Sequence, residues 1–311
     1  MSPTLRGLPA ALLLLLVLAT GLFSGDAAAA RVLLVTSERS GAHEETLTAI
    51  RSALVPGIPT SEIGILEPSQ VENGALAGSR IIVTIGTEAA QVVTSQSPRQ
   101  PVLHTLLPRD AYERLPPATG PGRSSAIFLD QPVQRQIALI TEALPDWRRL
   151  ALLAGPRSQP LATKLAAAAQ EQQLTVNIEN ISSERDIYPA LQRLLADRAV
   201  LLALPDSTVF NSYTIQNVLL TSYRHRSPLI GFSPAYVRAG ALLGLYSTPT
   251  QIGDQAAEAV RMVLAGGGLP PPQASRRFEI GINQNVAHSL GIHLEPAAEI
   301  AARIIRRETK P

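Results

Sequence analysis

The chain contains no cysteine, which excludes disulfides, thiolate metal sites and a lipid anchor on an N-terminal cysteine. A chain of 311 residues can bury an adequate core without such staples. Charge imbalance is also scarce: the formal net charge is +2, too small a bias to argue for nucleic acid or anionic lipid as partner. After the N-terminal segment no apolar run reaches about 18 residues, so no later membrane span is expected. The histidines, His43, His104, His225, His288 and His293, are scattered. His288 and His293 lie off a shared helical face, and no metal site is expected. Neither a Walker A sequence nor G-x-G-x-x-G is present, and no cofactor is expected.

Apolar residues are concentrated at the start. Arg6 precedes the run from Ala10 to Phe23, and small residues follow from Ser24 to Ala30. This is the pattern of a secretory signal peptide over 1–30, with A-x-A cleavage sites ending at Ala28 or Ala30. The expected product is a periplasmic protein that is not a lipoprotein.

From Arg31 onward strand and helix patterns alternate. Strands are expected at 31–36, 62–66, 80–85 and 101–106, with helices at 42–54, 71–78 and 87–94. The Pro/Gly-rich stretch 115–124 interrupts the series and is expected to be the first crossing between two lobes. A second series follows, with strands at 125–129, 149–153, 175–178, 199–203, 229–232 and 241–245. Its helices are expected at 133–144, 160–172, 187–196 and 208–225. A helix from Pro249 to Leu264 ends on Gly266 to Gly268. A strand at 277–282 and two short helices complete the chain. This is an α/β architecture of two Rossmann-like lobes, each a parallel sheet flanked by helices.

In open parallel sheets ligands sit outside the carboxyl ends of the strands, so candidate site residues are those just after each strand. Ser37 follows the first strand. Gly86, Thr87 and Glu88 follow the third, where a sharp turn opens a helix whose N–H groups suit an anion. His104 lies on the next strand. Asp206, Ser207 and Phe210 follow the strand at 199–203, and Ser233 and Tyr236 follow the strand at 229–232. Aromatic residues gather between 210 and 246, and core packing of one lobe explains most of them as well as a ligand pocket would.

The same stretches carry a resemblance. Ala203-Leu-Pro-Asp-Ser-Thr-Val-Phe210, Ser227-Pro-Leu-Ile-Gly-Phe-Ser233, Val237-Arg-Ala-Gly-Ala-Leu242 and Ile252-Gly-Asp-Gln-Ala-Ala-Glu258 are similar, in order and spacing, to ABC-transporter substrate-binding proteins of the type that includes tryptophan and other amino-acid binders. Phe278-Glu-Ile-Gly-Ile-Asn283, Ala287-His-Ser-Leu-Gly-Ile292 and Ile85-Gly-Thr-Glu-Ala-Ala90 fit the same family. The resemblance implies a type I periplasmic binding fold with three crossings and a ligand clamped between hinged lobes. It implies a first lobe of 31–122 to which 247–272 returns, and a second of 123–246 to which 273–311 returns. It also implies a small polar ligand, an amino acid or related carboxylate, an inner-membrane ABC permease as partner, and a monomer. An Asp-Pro pair common in the family after the last first-lobe strand is missing after His104-Thr-Leu-Leu-Pro108.

Two other readings stand beside it. The same clamshell could serve as a periplasmic sensor or accessory protein regulating a membrane partner. Gly231-Phe-Ser-Pro-Ala235 comes near a G-x-S-x-G elbow, with Asp254 and His288 downstream, which would make Ser233 a hydrolase nucleophile. Ala235 in place of the second glycine and Pro234 after the serine both count against it.

Overall fold

Strands with apolar residues at every position need cover on both faces, and they occupy the centres of two parallel sheets. The structure is a computed structural model and describes residues 31–39, 41–72, 74–117 and 123–309, so the expected signal peptide lies outside the described residues. The first sheet contains β1 (Val32–Thr36), β2 (Ile63–Leu66), β3 (Ile81–Ile85), β4 (Val102–Leu107), β5 (Ser124–Phe128) and β11 (Gln273–Ala274), in the order β11-β5-β4-β3-β1-β2. All of its pairings are parallel. Its helices are α1 (Gly41–Leu54), α2 (Thr87–Ser95), α3 (Arg109–Glu113) and α9 (Pro249–Leu264).

The second sheet contains β6 (Arg149–Ala154), β7 (Thr175–Asn180), β8 (Val200–Leu202), β9 (Leu229–Gly231), β10 (Leu243–Tyr246) and β12 (Glu279–Ile282), in the order β12-β10-β9-β8-β6-β7. It is parallel except for β12, which runs antiparallel to β10. The edge strand β7 is largely exposed, and the inner strands β6, β8 and β9 are buried along almost their whole length. Its helices are α4 (Val133–Ala143), α5 (Gln159–Glu171), α6 (Ile187–Leu194), α7 (Ile215–Arg224), α8 (Pro234–Ala239), α10 (Gln284–Leu290) and α11 (Ala297–Glu308).

Each lobe holds its own apolar core, and the chain passes between them three times. The first passage differs from expectation. β5 pairs with β4 in the first sheet, so the crossing falls at 129–132 and not at 115–124. A Pro/Gly-rich stretch needs only to be a loop, and here it joins two neighbouring strands of one sheet. The second crossing, at Ser247 and Thr248, leads into α9, which packs on α1. A Cβ at Gly253 would lie 2.6 Å from that of Ala49, so glycine permits this close helix approach. Thr248 caps α9 by accepting the Gln251 N–H at 3.1 Å. The third crossing runs from β11 to β12.

Two helix expectations are also corrected. Among the described residues of 71–78 the chain makes turns and no helix. The helix expected from Thr208 begins at Ile215, because Asn211 turns the chain first. Its side-chain oxygen accepts the N–H groups of Tyr213 and Thr214 at 2.8 and 3.1 Å.

Candidate functional site

The carboxyl ends of both sheets face each other, and a cavity of about 380 Å³ lies between them. The first lobe contributes Ala42 at the head of α1 and Leu106 and Pro108 at the end of β4. The first crossing contributes Leu129, Asp130 and Gln131, and the second contributes Ser247. The second lobe supplies most of the wall: Gln136 and Leu139 of α4, Leu161 of α5, Leu202, Ala203 and Pro205 at the end of β8, and Ile230 to Pro234 at the end of β9. Tyr246 and Pro249 close it near the second crossing. A concave, mostly apolar space with a few polar groups is the usual form of a small-molecule site.

Leu106 reaches this wall through an irregular backbone. Its φ is 52°, in the left-handed region, and the β4–β5 register shifts between Thr105 and Leu107. Such a bulge re-aims a side chain at a cost of order 1–3 kcal/mol, which the surrounding strands must offset.

Asp130 is the carboxylate of the wall. It lies two residues past β5, and its Oδ2 accepts the Arg109 N–H. Burial, the largest influence, raises its pKa above the ordinary carboxylate value, with the Arg109 N–H opposing. Because β5 pairs with β4, Asp130 lies just past the end of a first-sheet strand. The strand-end rule would have found it once β5 was assigned to the first lobe.

Of the ten residues singled out from sequence, Ser233 lines this cavity. Ser37 and Gly86 lie at the same carboxyl edge but are engaged with each other's neighbourhood. Ser37 Oγ accepts the Ala89 N–H at 3.0 Å, so it, and no residue of the turn itself, satisfies the head of α2. Gly86 has φ 97°, and a Cβ there would stand 2.5 Å from both Ser37 Oγ and His43 Nε2. Thr87 and Glu88 open α2 beside them, outside the cavity wall.

The structure places His104 in the core, outside the cavity wall. It is 1% exposed, its Nδ1 lies 2.8 Å from Thr84 Oγ1, and burial lowers its pKa to about 4. Asp206 also lies outside the wall. Its Oδ2 accepts the N–H groups of Arg157 and Ser158 and the Ser158 hydroxyl, each at 3.0 Å, and its Oδ1 accepts the Thr208 N–H at 2.9 Å. It ties the β6–α5 turn to the loop after β8, and Gly155 gives it room: a Cβ there would lie 2.6 Å from the carboxylate. Ser207 is exposed, with its carbonyl held by Asn211. Phe210 and Tyr236 pack behind the wall with ring centroids 6.5 Å apart, and Tyr236 donates to the Phe210 carbonyl at 3.3 Å.

The hydrolase constellation is not assembled. Asp254 is bound to Arg277 at 2.7 Å, His288 is exposed on α10, and no hydrogen bond joins either to Ser233. Among the described residues, no group of His, Asp and Glu is arranged to hold a metal ion, and no helix is long and apolar enough to cross a membrane.

The sequence model of the family described as ABC transporter substrate binding protein matches residues 74–303. No significant match to a curated protein was found. Among solved structures, the chain is similar to an ABC domain from Streptococcus pneumoniae in complex with L-Trp, at 18% identity and TM-score 0.61 over 87% of this chain and 97% of that one. It is also similar to the ligand-free, open form of a substrate-binding protein with adhesive properties from Clostridium difficile, at 18% identity and TM-score 0.70 over 86% and 96%. A periplasmic ribose ABC transporter protein from Conexibacter woesei aligns at 14% identity and TM-score 0.56 over 89% and 99%. The fold is that of the two-lobed type I periplasmic binding proteins.

Proposed function

The chain belongs to the ABC transporter substrate binding protein family, and from that premise we propose that it is the solute-binding component of an ABC uptake system. It works in the periplasm as a monomer after loss of residues 1–30, and it delivers its ligand to an inner-membrane permease. The observation that carries this reading is the cavity walled by both lobes and two crossings. A molecule held there touches both lobes at once, so it stabilises closure by its differential contact with the closed state. The walls refine the expectation of a small polar ligand: Leu129, Leu139, Leu161, Ile230 and Phe232 ask for an apolar body, with polar groups at one end. The role assigned is binding, with Ser233 a wall residue and no nucleophile.

The test is a thermal-shift screen of small metabolites against the purified protein, followed by small-angle scattering with each hit. A true ligand at a hundredfold excess over its Kd adds about 2.7 kcal/mol of stability and reduces the radius of gyration as the lobes close. Stabilisation without any compaction by every hit would refute the clamp.

A further inference from the structure

We infer that the ligand of the interlobe cavity carries a cationic amine on an apolar body and no carboxylate, with Asp130 as its ionic partner. The inference rests on the solute-binding reading above and specifies the ligand class.

Charge on the wall is one-sided. Asp130 is there, and among the described residues no lysine, arginine or histidine is. Two arginines come close without joining the wall: Arg109 gives Asp130 its backbone N–H while its guanidinium lies 4.3 Å over the Phe128 ring, and Arg135, behind Gln131, is already paired with Glu308.

Neutral donors are mostly committed. Gln131 Nε2 donates to Ser247 Oγ at 2.9 Å, Gln136 Nε2 donates to the Gln131 carbonyl at 2.9 Å, and Ser247 donates to the Arg277 carbonyl at 2.7 Å. Besides the head of α1 at Ala42, two helix heads reach the cavity, and both are poor in N–H groups. Pro234 opens α8 and Pro249 opens α9, and proline has no N–H to give. The Gln251 N–H of α9 is already held by Thr248. The hydroxyls of Ser233 and Tyr246 and the first N–H groups of α1 at Ala42 remain, neutral donors and no charged counter-ion. A carboxylate entering this space would lose its hydration and find no positive partner, the arrangement that buried charges avoid. An ammonium meets the reverse situation. Asp130 is half-buried, burial already disfavours its ionised form, and a cation beside it restores what desolvation removes.

The test uses matched series that differ only in the end group: phenethylamine, 2-phenylethanol and 3-phenylpropionate, and tryptamine, tryptophol and indole-3-acetate, with phenylalanine and tryptophan as zwitterions. Calorimetric titration of the wild-type protein should show each amine binding about tenfold or more tighter than its carboxylate. Asp130→Asn should weaken the amine about tenfold or more relative to its alcohol, so that the two bind alike. A carboxylate or zwitterion that binds more tightly than the matched amine overturns the inference, as does an amine preference that survives Asp130→Asn. The wild-type comparison needs no variant, so misfolding of Asp130→Asn cannot hide a failure. If neither series binds, the inference falls. The metabolite screen then judges the broader reading separately: a tightly bound carboxylate there leaves the solute-binding role standing, and no hit at all removes both.

Discussion

Arg135 Nη1 donates to Gln131 Oε1 at 2.9 Å, and this bond stands where the three crossings between the lobes meet. The same Nη1 donates to the Ser275 carbonyl of the third crossing at 2.9 Å. Gln131, in the first crossing, bonds in turn to Ser247 in the second. Nε and Nη2 of Arg135 grip both oxygens of Glu308 at 2.6 and 2.9 Å, and the guanidinium lies 4.3 Å over the Phe278 ring. A buried arginine, 4% exposed, thereby joins the hinge strands to the end of α11.

Replacing Arg135 with methionine removes this node. Glu308, Gln131 and the Ser275 carbonyl lose their partner together, and breaking a buried pair on one side costs about 3–5 kcal/mol. Thermal unfolding should show a loss of roughly 6–20 °C for a chain of this size. Arg135→Lys should fall in between, since lysine keeps the charge and loses the fork. A midpoint within about 1 °C of wild type for the methionine variant would show that the node does not hold the hinge.

Asp206→Ala separates structure from binding. It leaves the N–H groups of Arg157, Ser158 and Thr208 without their acceptor, at a cost of about 2–4 kcal/mol in urea denaturation. Because the carboxylate is engaged with these donors and is not part of the cavity wall, ligand affinity measured below the unfolding transition should stay within about twofold. A large affinity loss would restore Asp206 to the site.

Gly86→Ala tests the turn after β3. The new Cβ would adopt a left-handed conformation and press on His43 and Ser37, which supports the head of α2. A destabilisation of about 1–3 kcal/mol is expected. An unchanged urea midpoint would show that the turn relaxes freely.

His104 makes stability pH-dependent. Its folded pKa of about 4 lies below the ordinary 6.5, so the unfolded chain binds the extra proton first as pH falls. The stability of neutral His104 is therefore fully present above pH 6.5 and is lost as pH falls from there through about 4. The loss amounts to about 3 kcal/mol. Asp130, with a raised pKa, contributes in the opposite sense, its buried charge being relieved as it protonates. His104→Gln should flatten the dependence between pH 6.5 and 4. If its urea midpoint falls as steeply as that of wild type over this range, the burial of His104 is not the cause.

Much of the fold is local information, and the sequence carries it. The apolar runs of β1, β3 and β6, the alternation with amphipathic helices and the Thr248-Pro249 start of α9 each state their own structure. Together they place any site at the carboxyl ends of two parallel sheets, and Ser233 follows from that rule alone. Tertiary structure decided the rest, because it depends on partners distant in the chain. Whether β5 joins the first sheet or the second is a matter of which strand edge it pairs with, and Asp130 enters or leaves the site on that choice. His104 is a core residue because the covered sheet encloses β4 on both faces. Asp206 is a strand-end carboxylate like any other until donors 48 and 49 positions away, Ser158 and Arg157, occupy it. Arg135 reads in sequence as one more charge on a helix. Only the folded chain, by bringing three crossings and a C-terminal glutamate to its guanidinium, gives that charge a reason to be buried.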